Sequence, residues 1–241
     1  MSALDWTVLI SAAVLVGFAK TALGGIGALA TALFATVLPA RQSSGALLPL
    51  LIAGDVVAVA SYRRHADWKL LWRLFPSVAA GILVGALFVA RVDDAVMQRT
   101  IGVLLVLLVT LTLVQKLRGA PLRVQGRAMS ILFGLLAGFT TMVANAAGPV
   151  MSIYLLATGT SMMTFLGTGA WFYFVVNLFK VPFSLALGLI DLGSVRLDAQ
   201  LLPAMLVGAL IGRLVVSRLN QGAFEGLVLF FTLAASINLL R

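Results

Sequence analysis

Between positions 128 and 158 the chain contains no Asp, Glu, Lys, Arg or His. A helix needs roughly 20 apolar residues to cross the hydrocarbon core of a bilayer, and water offers no comparable place for so long an uncharged run. Seven further apolar stretches accompany it, at 6–38, 46–62, 70–90, 100–115, 162–190, 201–216 and 227–240. Of 241 residues 61% are hydrophobic and 10% charged, against about 25% charged in a soluble domain. Lipid is therefore the second solvent. The sequence predicts an all-α polytopic membrane protein, a single integral membrane domain with short connections and no flexible linker.

Charge is placed as a membrane protein places it. The net charge is +9, but Arg63, Arg64, Lys69 and Arg73 gather in one connection, and Lys116, Arg118, Arg123 and Arg127 in another. Basic loops between apolar spans mark the cytoplasmic side, facing anionic lipid, so the charge points to a bilayer partner and not to nucleic acid. The connection between them balances Arg91 and Arg99 with Asp93 and Asp94, as expected outside. His65 stands among these loop charges and reads as solvated. Trp6, Trp68 and Trp72 suit interfacial belts. No basic residue precedes Trp6, so the first stretch reads as a retained span and not a cleaved leader. The expected location is the cell (inner or plasma) membrane, with multiple passes. Cysteine is absent, which excludes disulfides, thiolate catalysis and Cys-based metal sites.

Two stretches are too long for one straight span. In 6–38 the run Lys20-Thr21-Ala22-Leu23-Gly24-Gly25-Ile26-Gly27 interrupts the middle; in 128–158 Asn145-Ala146-Ala147-Gly148-Pro149 does the same. Each is read as a broken helix, a re-entrant hairpin or two short spans. The landmarks also recur. Gly17-Phe18 and Gly27 match Gly138-Phe139 and Gly148 at a spacing of 121, and Asp55 matches Asn177 at 122. Pro76, Gly81 and Gly85 match Pro203, Gly208 and Gly212 at 127. These matches predict two homologous halves, 1–120 and 121–241, each of four to five transmembrane helices with a broken or re-entrant first helix. Five crossings per half would invert the second half relative to the first; four would leave them parallel. Arg196, Asp191 and Asp198 in the 191–198 connection, with Arg213 and Arg218 around the next, favour inversion.

A charge at the bilayer centre costs about 2.5–3.5 kcal/mol even on insertion scales, so intramembrane polar residues carry the functional reading. Lys20, Asp55 and Lys180 are the ionisable residues within apolar runs or at their ends. Lys20 beside a helix break, with Thr21 and amides freed at Gly24, Gly25 and Gly27, has the donors for an anion; the plainer reading is a lysine snorkelling to the interface. Thr140, Thr141, Asn145 and Gly148 supply neutral donors at the second break, where the plainer reading has Pro149 simply opening a helix. Asn177 and Lys180, one turn apart ahead of Pro182, are either an anion contact or an anchor. Asp55 is either a proton-coupling carboxylate or the structural partner of a lysine. No catalytic residue, metal site or cofactor is expected. Gly54-Asp55 lacks the second intramembrane aspartate of a protease, Ser43-Ser44-Gly45 lacks a nearby histidine, and no P-loop is present.

Taken together, the ordered motifs resemble the TauE/SafE family of sulfite exporter and sulfonate permease-like proteins. The carriers of the resemblance are Gly24-Gly25-Ile26-Gly27, Leu38-Pro39, Asp55 followed by Tyr62-Arg63-Arg64, and the P-x4-G-x3-G segment. The second half adds Ala144-Asn145-Ala146-Ala147-Gly148-Pro149 and Asn177-x-x-Lys180. It covers essentially the whole chain, departing where members often carry a longer glycine run than Gly-Gly-Ile-Gly. The resemblance implies a secondary transporter that exports small anions such as sulfite, organosulfonates or related organic acids. Its partners would be that anion and the lipid bilayer, with a homo-oligomer left open. An anion channel or accessory membrane subunit is the alternative reading, and an intramembrane enzyme a remote one.

Overall fold

The computed structural model describes residues 1–22, 27–118, 126–215, 229–230, 232–233, 236–237 and 239–240. Among these the secondary structure is helical: α1 (Ala3–Ala22), α2 (Gly27–Phe34), α3 (Ala40–Ala46), α4 (Leu48–Tyr62), α5 (Trp68–Arg91), α6 (Asp94–Arg118), α7 (Arg127–Ala144), α8 (Ala147–Ala157), α9 (Met162–Ala186) and α10 (Leu192–Val215). A 3-10 turn, Arg63–His65, joins α4 to α5. Seven segments among the described residues are long and apolar enough to cross a membrane, with α3 and α4 counted as one segment and α8 as a shorter apolar helix.

Local chemistry explains the boundaries. Asp67 caps α5 by accepting from the Leu70 amide at 3.0 Å, and Ser161 caps α9 by accepting from the Thr164 amide at 3.3 Å, each satisfying an orphan donor of the first turn. The 128–158 stretch divides into α7 and α8, and the 6–38 stretch into α1 and α2. Two expected boundaries move. The segment ending at Tyr62 begins at Ala40 and not at 46, because the polar run Arg41-Gln42-Ser43-Ser44 is itself helical. Likewise α10 starts at Leu192 and not at 201, so Arg196 and Asp198 stand on a helix and not in a connection.

The bundle is tied together by two close helix pairs, α1 with α10 and α5 with α7. Glycine makes both possible. A methyl group at Gly17 would fall 1.8 Å from the Met205 carbonyl oxygen, and one at Gly138 would fall 2.1 Å from that of Val78. Gly208 and Gly81 answer from the other side, against Val14 and Leu135 respectively. Small residues four apart let backbones approach this closely, and in lipid such packing is the main source of helix association. Contacts advance in the same direction along both members of each pair (Gly208 on Val14, then Gly212 on Phe18; Gly81 on Leu135, then Gly85 on Met142), so each pair is parallel. Gly138→Val is therefore expected to destabilise the protein by about 1–3 kcal/mol or more, since backbone cannot retreat as a side chain can. Gly169→Ala, whose methyl would meet only the Tyr173 ring at 3.8 Å, is expected to leave stability nearly unchanged. Thermal melting in detergent compares the two.

Between these pairs α4 packs against α9. Gly167 on α9 abuts Tyr62, His65 and Ala66, while Gly45 on α3 abuts Leu189 beyond the other end of α9. The bundle thus has a near end at the Arg63–His65 turn and a far end at the connection between α9 and α10.

Candidate functional site

Asn145 ends α7 in the left-handed region, φ 50° and ψ 31°, where a side chain other than Gly or Asn rarely sits. Its amide donates to the Thr141 carbonyl at 3.0 Å, the αL closure of a helix end, and the Ala146 amide donates to the Thr140 carbonyl at 3.2 Å. Helix α8 starts at Ala147 with no side-chain cap. Pro149 falls within its first turn, where a missing N–H costs nothing, so the interruption is narrower than 145–149. The two helix ends have opposite polarity. The carbonyl end of α7 is held by Lys180, whose Nζ donates to the Thr141 carbonyl at 2.7 Å and also to Asn145 Oδ1. The amide end of α8 opens onto a cavity lined by Ala147 and Gly148.

That cavity encloses about 70 Å³ and is walled by α1, α4, α7, α8 and α9. On a measure in which one water needs roughly 10–15 Å³, it holds a handful of heavy atoms. Lys20, Asp55, Thr141, Asn145, Tyr173 and Asn177 all line it. Asp55 is fully buried and uses both oxygens: Lys20 Nζ donates to Oδ1, and Asn177 Nδ2 donates to Oδ2 at 2.6 Å. Lys20 keeps 12% of its side chain exposed, and its Nζ lies 5.0 Å from the centroid of the Tyr173 ring, within cation–π range. A buried ion pair repays its desolvation only with good geometry and further hydrogen bonds. Asn177 supplies one such bond, and the Tyr173 ring adds its face to Lys20.

The predicted residues therefore divide. Lys20, Asp55, Thr141, Asn145, Gly148 and Asn177 meet at one cavity, and Lys180 adjoins it through Asn145. Thr21 and Thr140 turn elsewhere, Thr21 donating to the Ala209 carbonyl at 2.9 Å and Thr140 to that of Leu136 at 2.7 Å. Gly27 opens α2, while Gly24 and Gly25 lie outside the described residues. Tyr173 is an unpredicted member. An aromatic inside an apolar run reads as core, and the available signal was its position one turn before Asn177 on the same helix face. Asp198 corrects the expectation that Asp55 is the sole acidic residue within a span. It is buried on α10, and both its oxygens lack a hydrogen-bond partner among the described residues.

Spans arranged around a small cavity with a lysine–aspartate pair in its wall define the class: a multi-pass membrane protein. The family model described as Sulfite exporter TauE/SafE matches residues 9–239, and the chain belongs to that family. Neither a curated protein nor a solved structure matches it.

Proposed function

We propose that this chain is a secondary carrier that exports a small anion (sulfite, an organosulfonate or a related organic acid) through the cavity at Lys20. The observation that carries the reading is the meeting of Lys20 with the uncapped first turn of α8 in a space of about 70 Å³. A helix N-terminus carries roughly half a positive charge. Beside a lysine it makes an anion site with donors already in place, and the volume favours a solute of few heavy atoms.

The two-halves arrangement, inverted, is part of this proposal. It is supported by contacts that repeat with the spacings seen in the sequence: Gly17 against Met205 and Ala209 in one pair, Gly138 against Val78 and Ile82 in the other. Repeat-built carriers bind substrate where the broken helices of the halves meet. An interior-negative potential favours expulsion of a monoanion by about 2.3 kcal/mol per 100 mV, so export proceeds down the electrical gradient without nucleotide. Purified protein in liposomes tests this over a panel of sulfite, short sulfonates and carboxylates. Saturable, gradient-driven flux is the expected result; ohmic conductance would make it a channel, and no flux of any panel member would end the proposal.

A further inference from the structure

Lys180 is 1% exposed and is among the largest fully buried side chains of the protein. Its two acceptors, the Thr141 carbonyl and Asn145 Oδ1, are neutral. It also continues a series. Gly169, Tyr173 and Asn177 line the cavity from one face of α9, and Lys180 is the next position on that face, one turn past the point where the cavity stops.

Asn145 forms the wall between them. It lines the cavity, accepts from Lys180, and donates through Nδ2 to the Ser44 carbonyl at 2.9 Å and to Thr31 Oγ1 at 3.2 Å. One amide side chain thus joins α7 to α2, α3 and α9. Beyond it lies α3, the most polar stretch of its span. Ser43 and Ser44 are buried, Gln42 donates to Asp191 at 3.3 Å at the far end, and Arg41 Nε is buried with no partner among the described residues. Polar side chains at membrane depth are found where they face protein or a water-filled path, not lipid. Three basic side chains, Lys20, Lys180 and Arg41, therefore follow one another from the cavity to the far end.

We propose that Lys180 is a second station for the transported anion, on a path along α3 to the far side that Asn145 holds shut in this structure. This rests on the carrier reading above, and adds that the anion passes from Lys20 to Lys180 when the Asn145 amide lets go of Ser44 and Thr31. The first site loads from the near end. The second releases at the far end.

The absence of cysteine permits a test that needs no knowledge of the natural substrate. Ser44→Cys is labelled from the far side in oriented vesicles with two membrane-impermeant methanethiosulfonates, one bearing a sulfonate and one a trimethylammonium. The expected result is labelling at least tenfold faster by the sulfonate reagent. Adding Lys180→Met should erase that preference and Lys180→Arg should keep it, with melting temperature and oligomer profile confirming that both fold. Asn145→Asp, which places a carboxylate on Lys180, should slow labelling by the sulfonate reagent. No labelling of Ser44→Cys, labelling indifferent to reagent charge, or a preference that survives Lys180→Met would each overturn the proposal. Sulfite flux measured on the cysteine-free parent separates this outcome from failure of the carrier reading, since labelling does not depend on it.

Discussion

Lys20→Gln is expected to lower anion flux by one to two orders of magnitude, whereas Arg64→Gln in the exposed turn changes it less than twofold. A hydrogen bond to a charged group contributes about 1.5–3 kcal/mol, and each 1.4 kcal/mol is tenfold in binding. The Arg64 charge is solvated and screened within about a Debye length. The substitution also leaves Asp55 buried with Asn177 as its remaining partner among the described residues, and breaking one side of a buried pair costs about 3–5 kcal/mol. Stability and transport can be separated by adding Asp55→Asn, which removes the uncompensated charge. The double variant should recover most of the melting temperature and none of the flux. If it recovers both, Lys20 serves only to neutralise Asp55.

Asp55→Asn alone gives the second large effect. The variant retains the hydrogen-bonding shape at α4 and frees Lys20 from its counter-ion, so the positive charge facing the cavity grows. Anion affinity from the near end is expected to rise about tenfold, an estimate equal to part of the 1.5–3 kcal/mol that the charged hydrogen bond now holds. If Asp55 takes up a proton when the anion displaces it from Lys20, flux in the variant loses its response to an imposed pH gradient. Parent and variant liposomes with matched potentials and opposite pH gradients decide the point. Identical pH responses in the two would leave a potential-driven uniporter.

Some of this architecture was legible because membrane chemistry is severe. The division of 128–158 into two helices was readable from Asn145 and Pro149, since an amide in hydrocarbon needs partners and a proline cannot donate. A lysine partner for Asp55 was one of two readings that the cost of an unpaired charge allowed, and the place of Asn177 beside it was not read. Where the cost falls on the other side, hydropathy misleads. The run Arg41-Gln42-Ser43-Ser44 looked like a loop although it is α3, because its donors are satisfied or buried inside protein and not exposed to lipid. Arg196 and Asp198 concealed the first turns of α10, Arg196 being exposed there and Asp198 buried. Tyr173 was invisible because burial of an aromatic needs no explanation until a cation is found above it.

The parallel pairing of α1 with α10 has a consequence for how the chain is made. Val14 touches Gly208, nearly the whole polypeptide later. At about 5–20 residues per second of synthesis, the face of α1 that carries Gly17 waits on the order of 10–40 seconds in the bilayer before its partner emerges. Gly81 and Gly138 are separated by a far shorter stretch, so the α5–α7 seam closes while the ribosome is still at work. Insertion and assembly are therefore ordered events, with α1 inserted well before the helix it packs against. Until then the small-residue face around Gly17 must be shielded by lipid or by an insertase.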